Sequence, residues 1–305
     1  MSTQAPRVRK AVIPVAGRGL ALLPATRCVP KALLPIVDKP LVEFVVEEAA
    51  AAGIEQIIFV TPRQGSSVQD HFIGWRQRGE AEIAFAAVRQ AEPRGVGHAL
   101  CCAESLVDGE PFALLLPDEL ILDRRGGIAA CIDAFQRSGH CSVAVEPITL
   151  ERTASSAVVA TEERDGVAYL TEAVERPGPQ RAPSLTGLVG RLVLTDGIFV
   201  ALRELSSVPG VEMPLTAALQ RLLAHEPVCA VPLASRRIDC GTRGGLVQAM
   251  LEFANRDPDL APILAQWRDE RPASTPAPAA SIAERRQAAR ARSDRFFTRQ
   301  GHSDT

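Results

Sequence analysis

Short apolar runs alternate with longer amphipathic segments through the first half of the chain, and this alternation limits the folds open to it. The runs are rich in β-branched residues and end at turn residues, which predicts buried strands. After Pro40, apolar residues recur at helical spacing, and we expect Glu43, Glu47 and Glu48 to turn outward. Strands are predicted over residues 10–16, 56–61, 83–88 and 112–116, with helices over 40–52, 66–73 and 98–105. This order predicts an α/β fold with a doubly wound, mostly parallel sheet that binds ligands at the carboxyl ends of its strands.

The second half of the chain has longer irregular stretches and a larger share of strand-like segments. Strands are predicted over residues 142–146, 157–160, 188–194 and 228–232, and helices over 196–205, 215–225 and 244–254. From Arg271 the composition changes to RPASTPAPAAS and then to a basic run with little apolar spacing. We therefore predict one α/β domain over residues 8–270, followed by a linker and a basic, mobile tail over 271–305.

Composition and charge exclude several classes of protein. A chain of 305 residues with 46% hydrophobic and 23% charged residues can bury the core of a globular domain. A net charge of −2 and 4% aromatic residues predict binding neither to nucleic acid nor to an acidic membrane. The first ten residues have no apolar core typical of a secretory signal, and the seven cysteines form no C-x-x-C pair. We expect a cytoplasmic protein whose cysteines are small buried hydrophobes.

The segment 11–40 predicts a phosphate-binding loop. Its apolar start is a strand that runs into Gly17 and Gly19, where the lack of a Cβ lets backbone N–H groups approach a ligand. Four basic residues follow or lie within the turn: Arg18, Arg27, Lys31 and Lys39. The P-loop motif is absent, and the third glycine of the dinucleotide fingerprint is replaced by Leu22. A nicotinamide-dependent dehydrogenase is therefore disfavoured.

The whole run AVIPVAGRGLALLPATRCVPKALLPIVDKP resembles the signature of the sugar-1-phosphate nucleotidyltransferases. It is most similar to the pattern GxGTRxLPxTKxxPKExLPxxDKP of the bacterial UTP:glucose-1-phosphate uridylyltransferases. The resemblance extends over about residues 8–255 and implies a nucleotide-diphospho-sugar transferase fold, which is Rossmann-like with a sugar-binding elaboration. This chain departs from the pattern at Leu20-Ala21, where the family has Thr and a catalytic Arg, and at Arg27 and Ala32.

The resemblance implies a reaction in which a sugar-1-phosphate attacks the α-phosphate of UTP, releasing pyrophosphate and forming a UDP-sugar. It places Lys31 against the phosphates as a catalytic residue, and Arg18 or Arg27 is a candidate to replace the missing arginine. In RQAEPRGVGHA, similar to the family's RQGQPLGLGHA, Gln90 corresponds to the residue that reads the pyrimidine edge. The implied nucleotide-binding residues are Ala16, Gly17, Gly19, Gln90 and Gly95. His98 we expect to cap or pack the following helix.

Two aspartates are the implied ligands of a Mg²⁺ cofactor. Asp118 follows the apolar run 112–117, where an acid also suits a helix N-cap or a turn, and Asp239 lies in the turn Asp-Cys-Gly. The run Glu175-Arg176-Pro177 resembles the family's E-K-P, which implies contacts of Glu175 and Arg176 with the sugar and its phosphate. Gly190 is the third implied sugar-phosphate residue.

Two functions remain open at this point. The first is a uridylyltransferase that joins UTP and glucose-1-phosphate, or a related sugar-1-phosphate, as a homo-oligomer like other members of the family. The second is a non-catalytic paralogue that binds or modulates a true enzyme, because proteins of that kind also lack the Thr-Arg pair. Leu185 and Ser156-Ala157 replace residues of the family's sugar site, which leaves room for a specialised sugar phosphate.

Overall fold

The central strand shows why the sheet is buried on both of its faces. In β1, Lys10–Pro14, alternate residues point to opposite faces, so that Val12 packs into one apolar cluster and Ala11 and Ile13 into another. All three side chains are inaccessible to solvent. A strand that is apolar on both faces needs helices on both sides of the sheet, as the alternation of strands and helices predicts.

The computed structural model describes residues 5–64, 67–73, 83–123, 126–205 and 212–270. The strands after β1 are β2 Pro35–Ile36, β3 Lys39–Pro40, β4 Gln56–Pro62, β5 Ala84–Gln90, β6 Phe112–Leu115, β7 Glu119–Ile121, β8 Cys141–Pro147, β9 Ala157–Arg164, β10 Val167–Glu175, β11 Thr186–Leu194, β12 Val228–Pro232 and β13 Arg237–Asp239. The helices are α1 Leu41–Ala51, α2 Ser67–His71, α3 Val96–Val107, α4 Gly126–Ser138, α5 Gly197–Leu205, α6 Leu215–Leu222, α7 Arg243–Arg256 and α8 Ala261–Asp269.

Nine of the described strands form one sheet in the order β5-β4-β1-β6-β11-β8-β12-β10-β9. The first four strands run parallel, and β11 joins them antiparallel to β6. Because β4 and β6 flank β1 on opposite sides, the strand order reverses at β1. Such a reversal opens a crevice at the carboxyl ends of the strands, which is where α/β proteins bind ligands. The loops after β1 and β6 meet there.

Three apolar clusters fill the interior. One covers the face of the sheet that α3, α5 and α6 pack against, and a second lies under α1 and α4 on the other face. A third, smaller cluster joins the glycine-loop region to β7, β13 and α7 through residues such as Leu22, Leu120, Ile238 and Ala249. The third cluster lies under the predicted metal ligands, because β7 begins directly after Asp118 and β13, which pairs with it antiparallel, ends at Asp239.

The chain divides into two compact units, Met1–Phe253 and Ala254–Thr305. The sheet and its helices belong to the first. In the described part of the second, the Asp257 carboxylate accepts bonds from the N–H groups of Asp259 and Leu260, and α8 follows. The predicted linker and tail, 271–305, lie outside the described residues. Among the helices that the structure describes, none has the length and apolar character to cross a membrane.

The predicted α/β fold is confirmed, and most predicted elements are present with ends shifted by one to three residues. Seven of the described elements are absent from the sequence-based assignment: the short strands β2, β3, β7 and β13, the long strand β10, and the helices α4 and α8. The hairpin that joins β9 to β10 turns at Asp165 and Gly166, whose φ values are 52° and 76°. Positive φ at both central residues is typical of a type I′ turn, for which Asp-Gly is a preferred pair. That dipeptide was the available signal for β10.

Candidate active site

The loop after β1 is shaped by its second glycine. Gly19 has a φ of 61°, and a Cβ there would lie 2.9 Å from Thr26 Cγ2 and 3.1 Å from Lys31 Cβ. The Thr26 hydroxyl donates a hydrogen bond of 2.8 Å to the Gly19 carbonyl oxygen. Around Gly17, by contrast, a Cβ would meet nothing within 4 Å. The loop is therefore closed on itself at Gly19 and open to a ligand at Gly17.

A cavity of about 730 Å³, which we call the nucleotide cavity, opens at the carboxyl ends of β1, β5 and β6. A volume of this size suits a ligand as large as a nucleotide. The residues predicted for the site that line it are Ala16, Gly17, Arg18, Lys31, Gln90, Gly95 and Asp118. Arg94 adds a third cation beside Arg18 and Lys31, and Glu92 and Glu212 add carboxylates. The cavity thus combines open backbone with cations, as binding of a triphosphate requires.

The two predicted metal ligands converge on one glycine. The Cys240 N–H donates to the Asp118 carbonyl oxygen at 2.7 Å, which ties the two loops together. The Gly241 N–H donates to Asp239 Oδ1 at 2.9 Å. A Cβ on Gly241 would lie 2.7 Å from Asp118 Oδ2 and 3.0 Å from Asp239 Oδ1. The carboxylates therefore lie on either side of a residue that has to be glycine.

Lys31 neutralises one of these carboxylates. Its Nζ lies 2.5 Å from Asp118 Oδ2, and both side chains are about one-fifth exposed, at 20% and 22%. Within the described residues, the aspartates belong to no group of three or more His, Cys, Asp or Glu side chains placed to hold a metal ion. Two carboxylates beside a cavity that admits phosphate oxygens are nonetheless a donor set that fits Mg²⁺, which takes few protein ligands and keeps waters and phosphates.

A second cavity, of about 290 Å³, adjoins the first, and we call it the sugar cavity. Glu175, Arg176, Gly190 and Asp239 line it, so every residue predicted for the sugar phosphate lies here. The residues that line both cavities are Gly95, Val96, Leu116, Asp118 and Glu212. Asp118 is the predicted metal ligand among them. It therefore lies where ligands in the two cavities would meet.

Glu175 is held in the sugar cavity by a buried hydroxyl. Thr216, which is 2% exposed, donates to Glu175 Oε2 at 3.2 Å. Arg176 Nε lies 3.3 Å from Glu175 Oε1, and its side chain is 67% exposed. The backbone of Arg176 has a φ of 44°, a left-handed conformation that is uncommon for a residue with a side chain and is enriched at functional sites. The chain is therefore bent directly after the carboxylate that faces the cavity.

Gln90 and Gly95 come together at the far end of the nucleotide cavity. Gln90 is the last residue of β5 and only 4% exposed; its Nε2 donates to the Gly95 carbonyl oxygen at 3.2 Å. Gly95 has a φ of 94°, and a Cβ there would lie 2.7 Å from the Met213 carbonyl oxygen. His98 lies in the first turn of α3, whose N-cap is Gly95, so His98 does not cap the helix; its Nδ1 is 3.0 Å from Gln90 Nε2.

Arg18 and Arg27, the two candidates to replace the missing arginine, differ in their position relative to the cavities. Arg18 lines the nucleotide cavity, whereas Arg27 is exposed and lines neither cavity. Leu20 and Ala21, where the chain departs from the family pattern, lie on the loop between Arg18 and Arg27. Leu20 lines the nucleotide cavity and is 65% exposed, and Ala21 is exposed as well. Of the two arginines, Arg18 is the one that lines the nucleotide cavity.

A buried ion pair under the site was not predicted. Arg191 of β11 is 0% exposed and donates to both oxygens of Glu48, with distances of 2.7–2.9 Å. It also donates to three carbonyl oxygens, those of Leu116 (3.1 Å), Gly190 (3.0 Å) and Glu119 (2.7 Å). Burial acts to lower the pKa of the guanidinium, but the charge of Glu48 opposes this, and the pKa lies above its usual value. The arginine therefore fixes the backbone on both sides of Asp118.

The expectation that Glu48 turns outward is therefore wrong. Glu48 is 6% exposed, and besides Arg191 it accepts a bond from the Ile128 N–H at 3.1 Å. Its position on α1 beside Val45 and Ala49 points it toward α4 and the sheet. Burial of a carboxylate is tolerated here because a cation and a backbone donor satisfy it.

A second arginine organises the wall of the sugar cavity. Arg237 Nη1 lies 3.1 Å from Glu119 Oε2, and its Nη2 lies 2.7 Å from Glu146 Oε1. Burial raises the pKa of Glu119, against the charge of Arg237. Gly190 donates its N–H to Glu119 Oε2 at 3.0 Å, and a Cβ on it would lie 2.6 Å from Leu116 Cβ. Gly190 thus lines the cavity and also lets β11 approach the loop that carries Asp118.

Cys240, between the second aspartate and Gly241, takes no part as a nucleophile. The thiol is inaccessible to solvent, and burial, with the charges of Asp239 and Asp118, raises its pKa to about 12. It remains a neutral thiol at physiological pH, and its sulfur belongs to the third apolar cluster.

Comparison with known proteins places this geometry in context. Residues 10–256 match the family described as nucleotidyl transferase. The UTP–glucose-1-phosphate uridylyltransferase YngB of Bacillus subtilis (strain 168) is 37% identical over 273 residues, 83% of this chain and 92% of that protein. A UDP-glucose pyrophosphorylase complexed with UDP-glucose is 32% identical with a TM-score of 0.76, covering 82% of this chain and 100% of that one. A UTP-bound UGPase from Acinetobacter baumannii is 32% identical with a TM-score of 0.75, covering 86% and 99%.

Proposed function

We propose, from the premise that this chain belongs to the UTP–glucose-1-phosphate uridylyltransferase family of nucleotidyl transferases, that it joins UTP and glucose-1-phosphate into UDP-glucose. A phosphate oxygen of the sugar phosphate attacks the α-phosphorus of UTP. The bond from that phosphorus to the oxygen bridging to the β-phosphorus breaks, and pyrophosphate leaves with the electron pair. The nucleophile is already an anion, so the reaction needs alignment and charge stabilisation rather than a base.

The observation that carries this proposal is the position of Asp118. It lines both cavities, has Lys31 at 2.5 Å, and lies across Gly241 from Asp239. A nucleotide in one cavity and a sugar phosphate in the other would meet at this residue. The reacting groups would therefore meet where a cation and two carboxylates are concentrated.

The chain's own residues supply binding and orientation. The open backbone at Gly17 and the side chain of Arg18 would bind the triphosphate, and Lys31 would stabilise the negative charge that spreads as pyrophosphate departs. Glu175, held by Thr216, would accept hydrogen bonds from sugar hydroxyls, while Arg176 would bind the sugar phosphate. Gln90 would accept a hydrogen bond from the base edge through Oε1.

Asp118 and Asp239 would hold a magnesium ion. When bound, the ion supplies additional positive charge to the phosphates and fixes their orientation. The carboxylates contribute two protein oxygens, and Lys31 is close enough to Asp118 to be displaced from it toward a phosphate oxygen. Gly241 keeps the space between the two carboxylates open.

The test is release of pyrophosphate by the full chain with Mg²⁺, glucose-1-phosphate, and UTP, dTTP, ATP, GTP or CTP in turn. Turnover with UTP is the expected result. Preference for another nucleotide would keep the reaction class but contradict the role given to Gln90. No turnover with any nucleotide, over a panel of sugar phosphates, would contradict the proposed activity. Asp118→Asn serves as the matched inactive control.

A second candidate, the non-catalytic paralogue, is favoured by Leu20 and Ala21. Both side chains are exposed on the loop beside the nucleotide cavity, so Leu20→Thr with Ala21→Arg would restore the family pair without disturbing a packed residue. In a non-catalytic paralogue this double substitution should create turnover where there was none. In an active enzyme it should leave kcat within a few-fold, because other cations already stabilise the triphosphate.

Location and assembly complete the proposal. Seven free thiols, four of them buried, suit the reducing cytoplasm in which we place the protein.

We also expect a homo-oligomer, and Val247 and Leu251 offer exposed apolar side chains one turn apart on α7. Analytical ultracentrifugation of the full chain would measure its mass in solution. A monomer at micromolar concentration would contradict the assembly.

A further inference from the structure

The two partners of Gln90 fix which end of its amide faces the nucleotide cavity. A backbone carbonyl oxygen only accepts hydrogen bonds, so the amide atom that lies 3.2 Å from the Gly95 carbonyl oxygen has to be the nitrogen Nε2. The opposite orientation would bring two acceptors together and leave both unpaired in a buried position. Gly95 therefore determines the orientation of the amide from one side.

His98 acts on the same nitrogen from the other side. Its Nδ1 lies 3.0 Å from Gln90 Nε2, which has a second hydrogen to donate. Nδ1 is then the acceptor of this hydrogen bond, and the ring proton lies on Nε2. Gln90 lines the nucleotide cavity and His98 does not, so the histidine acts on a ligand only through Gln90.

With both hydrogens of Nε2 used, the oxygen Oε1 is left for the ligand. Among the described residues, no donor forms a hydrogen bond with Oε1. Gln90 is only 4% exposed and lines the nucleotide cavity, so little solvent reaches this oxygen. A buried acceptor is satisfied only by a donor. The ring edges of uracil and thymine present an N–H at N3, whereas cytosine presents a bare acceptor nitrogen at the same position.

We propose that His98 is a positioning residue that determines nucleotide choice by holding the Gln90 amide with its oxygen toward the base. This assignment rests on the proposed function, because it takes a pyrimidine nucleotide as the ligand. A cytosine base in the same position would turn its bare N3 toward Oε1, so that two acceptors would meet. Pairing N3 would need the amide reversed, which would place Oε1 against both the Gly95 carbonyl oxygen and His98 Nδ1. The histidine thus excludes CTP without touching it.

The test measures the equilibrium binding of UTP and of CTP to the full chain in the absence of sugar phosphate. Calorimetry gives each affinity directly, and displacement of bound UTP gives a second measurement. His98→Phe removes the acceptor and keeps a planar ring, and His98→Leu does so with a smaller side chain should the phenylalanine variant not fold. His98→Asn places an amide oxygen near the former Nδ1 and is the matched control. We expect the UTP-to-CTP affinity ratio to fall about tenfold in the apolar variants, as loss of one hydrogen bond of about 1.4 kcal/mol predicts. His98→Asn should retain most of the ratio.

An unchanged ratio in a folded apolar variant would overturn the role given to His98. An equal loss of affinity for both nucleotides would overturn it too, because a purely structural residue would affect both alike. If the unaltered chain binds neither nucleotide, the proposed function itself is overturned. Binding with an intact preference for UTP in every variant would leave the proposed function standing and reject His98 alone.

Discussion

Replacing Arg191 by methionine should destabilise the protein more than almost any other single substitution. The change leaves the Glu48 carboxylate buried at 6% exposure, and the Ile128 N–H is then its one partner among the residues that the structure describes. Removing one member of a buried pair costs about 3–5 kcal/mol, because the charge left behind is not compensated. A protein of this kind has about 5–15 kcal/mol of stability in total. Arg191→Met should therefore remove a large share of it.

Urea unfolding followed by circular dichroism would measure this loss as a lower midpoint at an unchanged slope. Arg203→Met is the matched control, since Arg203 pairs with Glu104 on the surface with side chains 56% and 39% exposed. Exposed pairs contribute about 0–1 kcal/mol, so the control should be nearly neutral. The double variant Arg191→Met with Glu48→Met should recover about 2 kcal/mol, because it removes the orphaned charge.

The substitution should also reduce activity in the fraction that stays folded, since Arg191 holds the carbonyl groups of Leu116 and Glu119 on either side of Asp118. We expect a higher Mg²⁺ concentration for half-maximal turnover. A loss of stability below about 1 kcal/mol in Arg191→Met, or a double variant less stable than the single one, would refute the reasoning. The first result would mean that the pair is dispensable, and the second that Glu48 stabilises the fold even without Arg191.

Three further substitutions test the site directly. Asp118→Asn should abolish Mg²⁺-dependent turnover, measured as pyrophosphate release, and unchanged activity would remove Asp118 from the metal site. Gln90→Ala should weaken UTP binding about tenfold while leaving the KM for the sugar phosphate within twofold, and an equal effect on both would count against base reading. Gly241→Ala should lower turnover at least tenfold while the melting temperature changes little, because its Cβ would lie 2.7 Å from Asp118 Oδ2; full activity would show that the carboxylates separate freely.

The fold could be predicted from the sequence because its determinants are local. The apolar run at Val12 and Ile13, and the helical spacing of Leu41, Val42 and Val45, each define an element without reference to distant residues. The strand β10 was not predicted because VAYLTEAVE, with exposed and buried residues interrupted by a bulge near Leu170, lacks strict alternation. Its hairpin turn at Asp165-Gly166 was the better signal.

Site residues could be predicted only where they lie in a segment that resembles the family's sequence pattern. Lys31, Asp118 and Asp239 were identified through the resemblance of their segments, and spacing alone gave Asp118 no preference for a metal over a turn. The Arg191–Glu48 pair is separated by 143 residues, and no periodicity connects its members. Both residues nevertheless stood out in the sequence. Arg191 lies inside the apolar strand TGLVGRLVL, and Glu48 lies between Val45 and Ala49. A charge in such a position requires a buried partner.

The departed pair Leu20-Ala21 changes the charge of the site without changing its shape. Leu20 is 65% exposed and Ala21 is exposed, so neither holds the loop in place. The neighbours that do hold it, Gly19 through Thr26, keep the close contacts that fix the backbone. An enzyme that lost the arginine would therefore retain its nucleotide cavity and lack one cation on the triphosphate. Such a loss costs about 3–4 kcal/mol of transition-state stabilisation unless another cation acts, and Arg18, two residues before Leu20, lines the cavity as Lys31 does.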